Sequence, residues 1–357
     1  MNLRDLPRVF RRGGVILAAT GIAASIAVAG EQDRSVFVLA STNDPGSNGV
    51  VVFKLQTSGT AALSYVESLV TGGKGGASTN AGILQFKGNR GAVANFGSST
   101  VTALVREDDV IQVGQAIKLA QGCVKPDSVA LTREHLFVVG ATCAESHAWP
   151  AGNVDGVVVP LTDPSAAQIA VGKSWAAVTL ASGSLLQLLL TSRGGLNGVA
   201  AAVTLPSTAD NTPLGVGFWD DILGFTPAHS PDSFAIVDKN RDVFPITGPT
   251  PPFPTNAPCW VAKGPGNVWY TGNSPGHAIS IFFSDSHGGV FYKSLALPGA
   301  PTDVTVSHDG RWLAVIYSAA SDARVAVFAV NDHGDLTLAA TSDSVGVPAF
   351  NGVAISE

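Results

Sequence analysis

Charged side chains are scarce in this chain. Asp, Glu, Lys and Arg together make up 13% of its 357 residues, against 45% hydrophobic residues. Disordered segments have the opposite balance, so the composition predicts a folded chain. Clustered cations are missing too. Beyond the first 30 residues Lys and Arg stand singly. That excludes the phosphate-neutralising patch on which nucleic-acid binding depends. The seven histidines (His135, His147, His229, His277, His287, His308 and His333) show no His-x-x-x-His pair, so nothing marks a zinc site. There is no dinucleotide fingerprint, no P-loop and no Gly-x-Ser-x-Gly elbow. No metal and no cofactor is expected. No Asn-x-Ser/Thr acceptor with a permissive middle residue occurs, so N-glycosylation is not expected either.

What is present begins at the N-terminus. "MNLRDLPRVFRRGG" is basic, and "VILAATGIAASIAVAG" is apolar and ends in the small residues Ala27-Val28-Ala29. This pattern predicts an export signal over residues 1–29, and Arg11-Arg12 fits a twin-arginine route. The alternative, a membrane anchor, needs about 20 apolar residues, and the run from Val15 to Ala29 falls short. No other run is long enough to span a membrane, so a periplasmic or secreted protein is expected, free of the membrane once the signal is removed. The signal carries four arginines against one aspartate. Setting aside its +3 turns the chain's net −6 into −9. An anionic ligand would therefore have to meet an isolated cation in a pocket.

Residues 30–357 read as one repeating domain. A short apolar strand recurs seven times: "GILQFKGN" from Gly82, "DSVALTRE" from Asp127, "WAAVTLAS" from Trp175, "DILGFTPA" from Asp221, "WVAKGPGN" from Trp260, "DVTVSHDG" from Asp303 and "GVAISE" from Gly352. The spacings are 45, 48, 46, 39, 43 and 49 residues. Second and third strands follow each of the first six copies, as in "LFVVGAT" and "DGVVVPL" or "NVWYTGN" and "AISIFFS". Helical periodicity is absent after residue 30, and Gly (40 residues) and Pro (21) are spread through the turns. Four strands every 40–50 residues or so define an all-β propeller. The segment from Ser35 to Ser68 lacks a first strand, and "FNGVAIS" is a first strand without a blade. Joining them gives a seven-bladed β-propeller whose blade one is closed by the N- and C-terminal strands, which covers both exposed edges.

The blade "VSHDGRWLAVIYSAASDARVAVFAVNDHGDLTLAA", together with "SNGVVVFKLQTSGTAALSYVESLVTGGKGG" and "APCWVAKGPGNVWYTGNS", resembles the repeats of the lactonase-type seven-bladed propellers. That group includes 6-phosphogluconolactonase-like proteins and carboxy-muconate cyclases. The resemblance covers about Ser35 to Glu357. It implies chemistry on a lactone or related cyclic ester or ether: hydrolysis, lactonisation or isomerisation. In the cyclases a channel His works with an Arg and a carboxylate.

Placed on that scheme, "GATCAESHAWPAG" (Gly140 to Gly152) becomes a long loop between the second and third strands of blade three, on the ligand face. His147 is its candidate general acid/base. Arg193, in "TSRGG" of the next blade, is the candidate anion clamp. Both resemble the cyclase His and Arg by position. No Glu stands where a third partner is expected, and Asp220 or Glu145 would have to substitute. The expected substrate-binding set is Trp149, Trp175, Trp219, Asp220, Trp260, Asn273, His277, Tyr317, Asn80 and Asn351. The tryptophans at strand starts would line an aromatic pocket or pack blade against blade. Cys123 and Cys143 fall on one face of blade three and would form a disulfide bracing the long loop, the alternative being two buried thiols. Cys259 is a nucleophile or a small buried hydrophobe. The expected partner is a small-molecule substrate, and the protein is expected to act as a monomer. A second reading is a non-catalytic propeller that binds a small molecule or a protein. A third, an oxidoreductase propeller, would need a cofactor.

Overall fold

The computed structural model describes residues 35–77, 81–203, 205, 212–227, 233–238, 240–247, 257–285, 287–319, 322–346 and 350–357. The export signal expected over residues 1–29 lies outside them. Among the described residues no helix is long and apolar enough to cross a membrane.

Seven antiparallel four-stranded sheets form the blades of a propeller. Blade one holds β1 (Val36–Ser41), β2 (Gly49–Gln56) and β3 (Ala62–Val70). Blade two is β4 (Leu84–Lys87), β5 (Arg90–Asn95), β6 (Thr100–Glu107) and β7 (Val110–Lys118). Blade three is β8 (Pro126–Leu131), β9 (His135–Gly140), β10 (Cys143–Ala148) and β11 (Val159–Pro160). Blade four is β12 (Ala166–Val171), β13 (Trp175–Leu180), β14 (Ser184–Leu190) and β15 (Leu196–Val203). Blade five is β16 (Val216–Trp219), β17 (Ile222–Phe225), β18 (Ser233–Val237) and β19 (Val243–Thr247). Blade six is β20 (Pro258–Lys263), β21 (Val268–Asn273), β22 (Ala278–Asp285) and β23 (Gly288–Ala296). Blade seven is β24 (Ala300–Val306), β25 (Trp312–Ser318), β26 (Ala323–Val330) and β27 (Leu336–Thr341). The last strand, β28 (Val353–Ser356), completes blade one by pairing antiparallel with β1, Phe37 opposite Ser356 and Ala40 opposite Val353. The closure expected from the orphan strands at the two ends is therefore the one observed.

Position within the blade explains the sequence of each strand. Second strands are covered on both faces by neighbouring blades, so they are apolar runs rather than alternating ones. All six residues of β1, β9 and β21 are buried. Each Val, Leu or Phe so placed contributes roughly 1.5–3 kcal/mol by leaving water. Fourth strands form the outer rim and are polar on much of their surface, as in "ALSYVESLV" of β3.

First strands of adjacent blades do not pair, so side chains bridge them. Ser128 Oγ donates to Gly82 O (3.4 Å), and Gln168 Oε1 accepts from Val216 N–H (2.6 Å). Thr226 Oγ donates to Cys259 O (3.1 Å), Trp260 Nε1 to Pro301 O (2.8 Å) and Thr302 Oγ to Phe350 O (3.0 Å). In blades three, four, six and seven the first strand also carries a register shift at the same place. It falls between Pro126 and Ser128, Ala166 and Gln168, Pro258 and Trp260, and Pro301 and Asp303. A bulge re-aims the residue that follows it. Here those residues are Ser128, Gln168, Trp260 and Asp303, four of the side chains that tie one blade to the next.

Two sequence expectations are corrected. "WAAVTLAS" and "DILGFTPA" hold the second strands of blades four and five, β13 and β17, and the first strands are β12 and β16. "GATCAESHAWPAG" is not a long loop: Cys143–Ala148 is the third strand β10, after a two-residue turn at residues 141–142. Its composition hides this, because five of its six residues are buried although Glu, Ser and His are among them. The connection to β11 then runs over residues 149–158.

Candidate functional site

The first strands line a central cavity of about 220 Å³. Its walls are mostly Val, Ile and Ala, and its polar members are Gln85, Gln168, Asp303, Thr305 and Lys263. These come from four different blades, β4, β12, β24 and β20, so the site exists only in the closed ring.

Asp303 is 3% exposed. Its Oδ2 accepts from Val353 N–H at 3.1 Å and its Oδ1 from Val304 N–H at 2.8 Å, and Gly82 N–H is a third donor. Burial disfavours the ionised form and pushes the carboxyl up to about 7, against the opposing effect of those three donors. Gly82 lies in the middle of this cluster. Its φ is +69°, and a Cβ there would stand 2.9 Å from Ser128 Oγ, 3.1 Å from Gln168 Nε2 and 3.3 Å from Gln85 Nε2. Only glycine combines that backbone with that closeness.

Lys263 ends β20 at the opposite end of the first strands. Its ammonium lies over Trp219 (5.3 Å) and Trp269 (5.5 Å) and donates to Gly264 O (2.5 Å) and Gly266 O (2.6 Å). Burial lowers its affinity for a proton to a pKa of about 8, while the charge of Asp220 works the other way. Asp303 and Lys263 both line the cavity, at opposite ends of its first strands.

The residues predicted from sequence divide between two faces. In a four-stranded blade the second-to-third turns and the links between blades share one face, and the first-to-second and third-to-fourth turns share the other. Trp260, Asn273, His277, Tyr317, Asn351, Cys123 and Cys143 belong to the first. Asn80 lies outside the described residues. Trp149, Trp175, Arg193, Trp219 and Asp220 belong to the second, with His147 near the same end of its strand. The strand frame explains this: Arg193 stands in the turn between β14 and β15, which are third and fourth strands.

His147 is 0% exposed. Its Nδ1 faces Gly152 O at 2.9 Å and its Nε2 faces Glu145 Oε1 at 3.0 Å. Both nitrogens are thus engaged inside the blade, and His147 is not among the residues that line the cavity. Arg193 is exposed in the turn between β14 and β15 and is not among the residues that line the cavity. Trp175 meets Phe218 of the next blade edge-on, ring centroids 4.7 Å apart, so it packs blades. Trp149 is buried, and its Nε1 and that of Trp175 have no partner among the described residues. Trp219 holds Lys263, and Asp220 pairs with Lys173 at 2.8 Å. Asn273 is buried and donates to Ser280 Oγ at 2.6 Å. Tyr317 and Asn351 are buried, His277 is exposed, and Asn351 Oδ1 has no partner among the described residues.

Cys123 and Cys143 form the expected disulfide. Cys259 donates to Ala257 O at 3.3 Å, and burial raises its thiol to about 11. That disfavours the thiolate a nucleophile requires. The sequence reading missed Gln85, Gln168, Thr305 and Lys263. Lys263 had a legible signal, a lone cation closing a first strand, and the glutamines had none.

No protein-family model matches this chain, and no curated protein matches it. Solved structures do match in fold. A protein from Lactobacillus plantarum aligns over 90% of this chain and 99% of its own, with a TM-score of 0.66 at 13% identity. The periplasmic gluconolactonase PpgL of Pseudomonas aeruginosa aligns over 90% and 99%, with a TM-score of 0.65 at 14% identity. A streptogramin B lyase aligns over 78% and 87%, with a TM-score of 0.59 at 13% identity. At these identities the likeness is one of fold: this chain is a seven-bladed propeller of the architecture that gluconolactonase and streptogramin B lyase structures share.

Proposed function

We propose that this protein is an exported, cofactor-independent propeller enzyme that opens, closes or isomerises a lactone or related cyclic ester in its central cavity. The observation that carries the reading is Asp303, a buried carboxyl at the cavity wall whose pKa of about 7 suits general acid–base catalysis. The acid–base role thus passes from His147 to Asp303. The anion-holding role passes from Arg193 to Lys263, which would attract the carboxylate of an opened ring. Gln85 and Gln168 supply amide donors for a ring carbonyl. Structural likeness to a periplasmic gluconolactonase and a streptogramin B lyase is consistent with ring-opening chemistry. The Cys123–Cys143 disulfide favours an oxidising compartment, in keeping with the signal-like N-terminus.

The test is turnover of a lactone panel by the wild type and by Asp303→Asn, Lys263→Ala, His147→Ala and Arg193→Ala. Loss of a general acid–base group costs about 10²–10⁴-fold in kcat. That loss is expected for Asp303→Asn, a rise in KM for Lys263→Ala, and wild-type rates for Arg193→Ala. Full turnover by Asp303→Asn would overturn the assignment. One observation favours the second reading, a propeller that only binds: Asp303 already accepts from three backbone N–H groups. A saturable ligand without turnover would decide for it.

A further inference from the structure

The first strands change in burial from one end to the other. β4, β8, β12 and β16 begin on buried residues and end on half-exposed or exposed ones: Leu84 against Lys87, Pro126 against Leu131, Ala166 against Val171, Val216 against Trp219. Their starts lie at the face of the links between blades, and their ends at the face of the first-to-second turns. The cavity is lined as far as those ends, by Leu131, Val171, Lys263 and Val306. Lys87 closes β4 two residues beyond the cavity residue Gln85, on the same side of the strand. Arg133 stands two residues beyond the end of β8. We infer that the cavity is entered from the face of the first-to-second turns, and that Lys87 and Arg133 on its rim, with Lys263 inside, select anions over cations. The inference rests on the reading of this cavity as the working site.

The opposite end is tied together by hydrogen bonds. Asp303 of blade seven accepts from Val353 N–H of blade one and from Gly82 N–H of blade two. Ser128 Oγ of blade three donates to Gly82 O and accepts from Ile169 N–H of blade four, both at 3.4 Å. Around Gly82 the side chains of Ser128, Gln168 and Gln85 crowd the place a Cβ would take. Ala81, Gly82, Asp127, Ala167 and Asn351, all at that end, are buried. On the other side Gln85, Leu131, Val171 and Thr305 are half-exposed. A ligand therefore reaches Asp303 from the side of the turns.

The rim has cations to spare. Among the described residues Lys87, Arg133 and Lys263 have no ion-pair partner. The carboxylates at the same strand ends are mostly engaged. Asp220 pairs with Lys173 at 2.8 Å, and Asp309 with Arg311. Asp221 Oδ1 accepts from Ser174 N–H at 2.9 Å, and Glu357 Oε1 from Asp309 N–H at 2.6 Å. Glu134, exposed, is the one acid there without a side-chain partner among the described residues. Burial keeps Asp303 protonated below about pH 7, so below that pH the cavity adds no carboxylate of its own. A mouth with apolar walls focuses the field of its cations, which raises the local concentration of anions and lowers that of cations.

The experiment places one reactive thiol in the cavity. Thr305→Cys is made in a Cys259→Ala chain with the Cys123–Cys143 disulfide left oxidised. At pH 6.5 and low salt it is labelled with an anionic and a cationic methanethiosulfonate, and the rate ratio is divided by that for 2-mercaptoethanol. The expected anion-to-cation ratio is at least about threefold, falling toward one in 1 M salt. Lys87→Glu and Arg133→Glu should each lower it at least about twofold. Ala167→Cys, at the tied end of β12, should label far more slowly than Thr305→Cys in a chain with an unchanged far-UV signal. A ratio at or below one overturns the proposal, as does a ratio that neither charge reversal moves, or equal labelling of residues 167 and 305. Should Thr305→Cys fail to fold, Val306→Cys at the end of the same strand takes its place. Labelling reads entry alone. A chain that passes these tests and turns over no lactone keeps the mouth and loses the proposed reaction, and the reverse result loses only the mouth.

Discussion

Asp303 should impose a pH dependence on stability that its amide counterpart lacks. In the folded protein its carboxyl keeps its proton up to about pH 7, while in the unfolded chain it ionises near 3.8. Between those values the folded state binds one proton more than the unfolded state. Stability therefore falls as pH rises, by about 1.4 kcal/mol per unit. Across the whole window the loss is about 4 kcal/mol, complete above pH 7 and absent below about pH 4. This is the reverse of an ordinary salt-bridged aspartate. Asp303→Asn has no proton to bind, so the slope disappears. Its intercept moves too, because an amide meets the N–H groups of Val353, Val304 and Gly82 with one acceptor oxygen, at a cost of about 1–3 kcal/mol. The slope is therefore the quantity to measure. Urea unfolding of both proteins at intervals from pH 4 to pH 8, with m-values held common, gives it directly. A difference between wild type and variant that stays constant with pH would refute the reasoning, because it would mean that Asp303 ionises normally where it lies.

Further outcomes follow from the same geometry. Gly82→Ala should cost about 1–2 kcal/mol from its left-handed backbone alone, before its Cβ meets Ser128 and Gln168; chemical denaturation measures it, and a neutral substitution would contradict the crowding. Cys143→Ser opens a cross-link between residues 20 apart, worth about 3 kcal/mol in the chain-entropy model. A stability equal to the wild type's under non-reducing conditions would argue against that cross-link. Acylation of Lys263, followed by peptide mass spectrometry, should be half-maximal near pH 8, because burial disfavours its ammonium. A rate still rising tenfold per unit at pH 10 would count against the assignment.

The ring was legible in the sequence because first and second strands, buried on both faces, are apolar and repeat at a steady interval. The split blade was legible for the same reason: "FNGVAIS" and the segment from Ser35 complement each other. The Cys123–Cys143 pair was legible once both residues fell on one face of blade three. The frame of blades four and five was not, because Trp175 and Asp221 imitate the starts of the other copies while the true first strands β12 and β16 are inconspicuous. Nor was β10 legible, since Glu145 and His147 satisfy each other and so allow a polar strand to be buried. The two faces were exchanged for Arg193 and Trp219 as a direct result. The cavity residues Gln168 and Asp303 depend on bulges, which shift one residue without changing composition.

Closure by β28 makes the fold conditional on its final few residues. Phe37 and Ser356 are neighbours in one sheet and almost a full chain length apart in sequence. Contacts of that separation form slowly, and none can form before the last strand exists. A product stopped short of Val353 would leave β1 with a bare inner edge, free to pair with any strand it meets. It would also remove the Val353 N–H from which Asp303 accepts. Without β28 the chain would be sticky along β1 and Asp303 would lose one of its three N–H donors, so a single strand both closes the ring and holds a buried carboxyl.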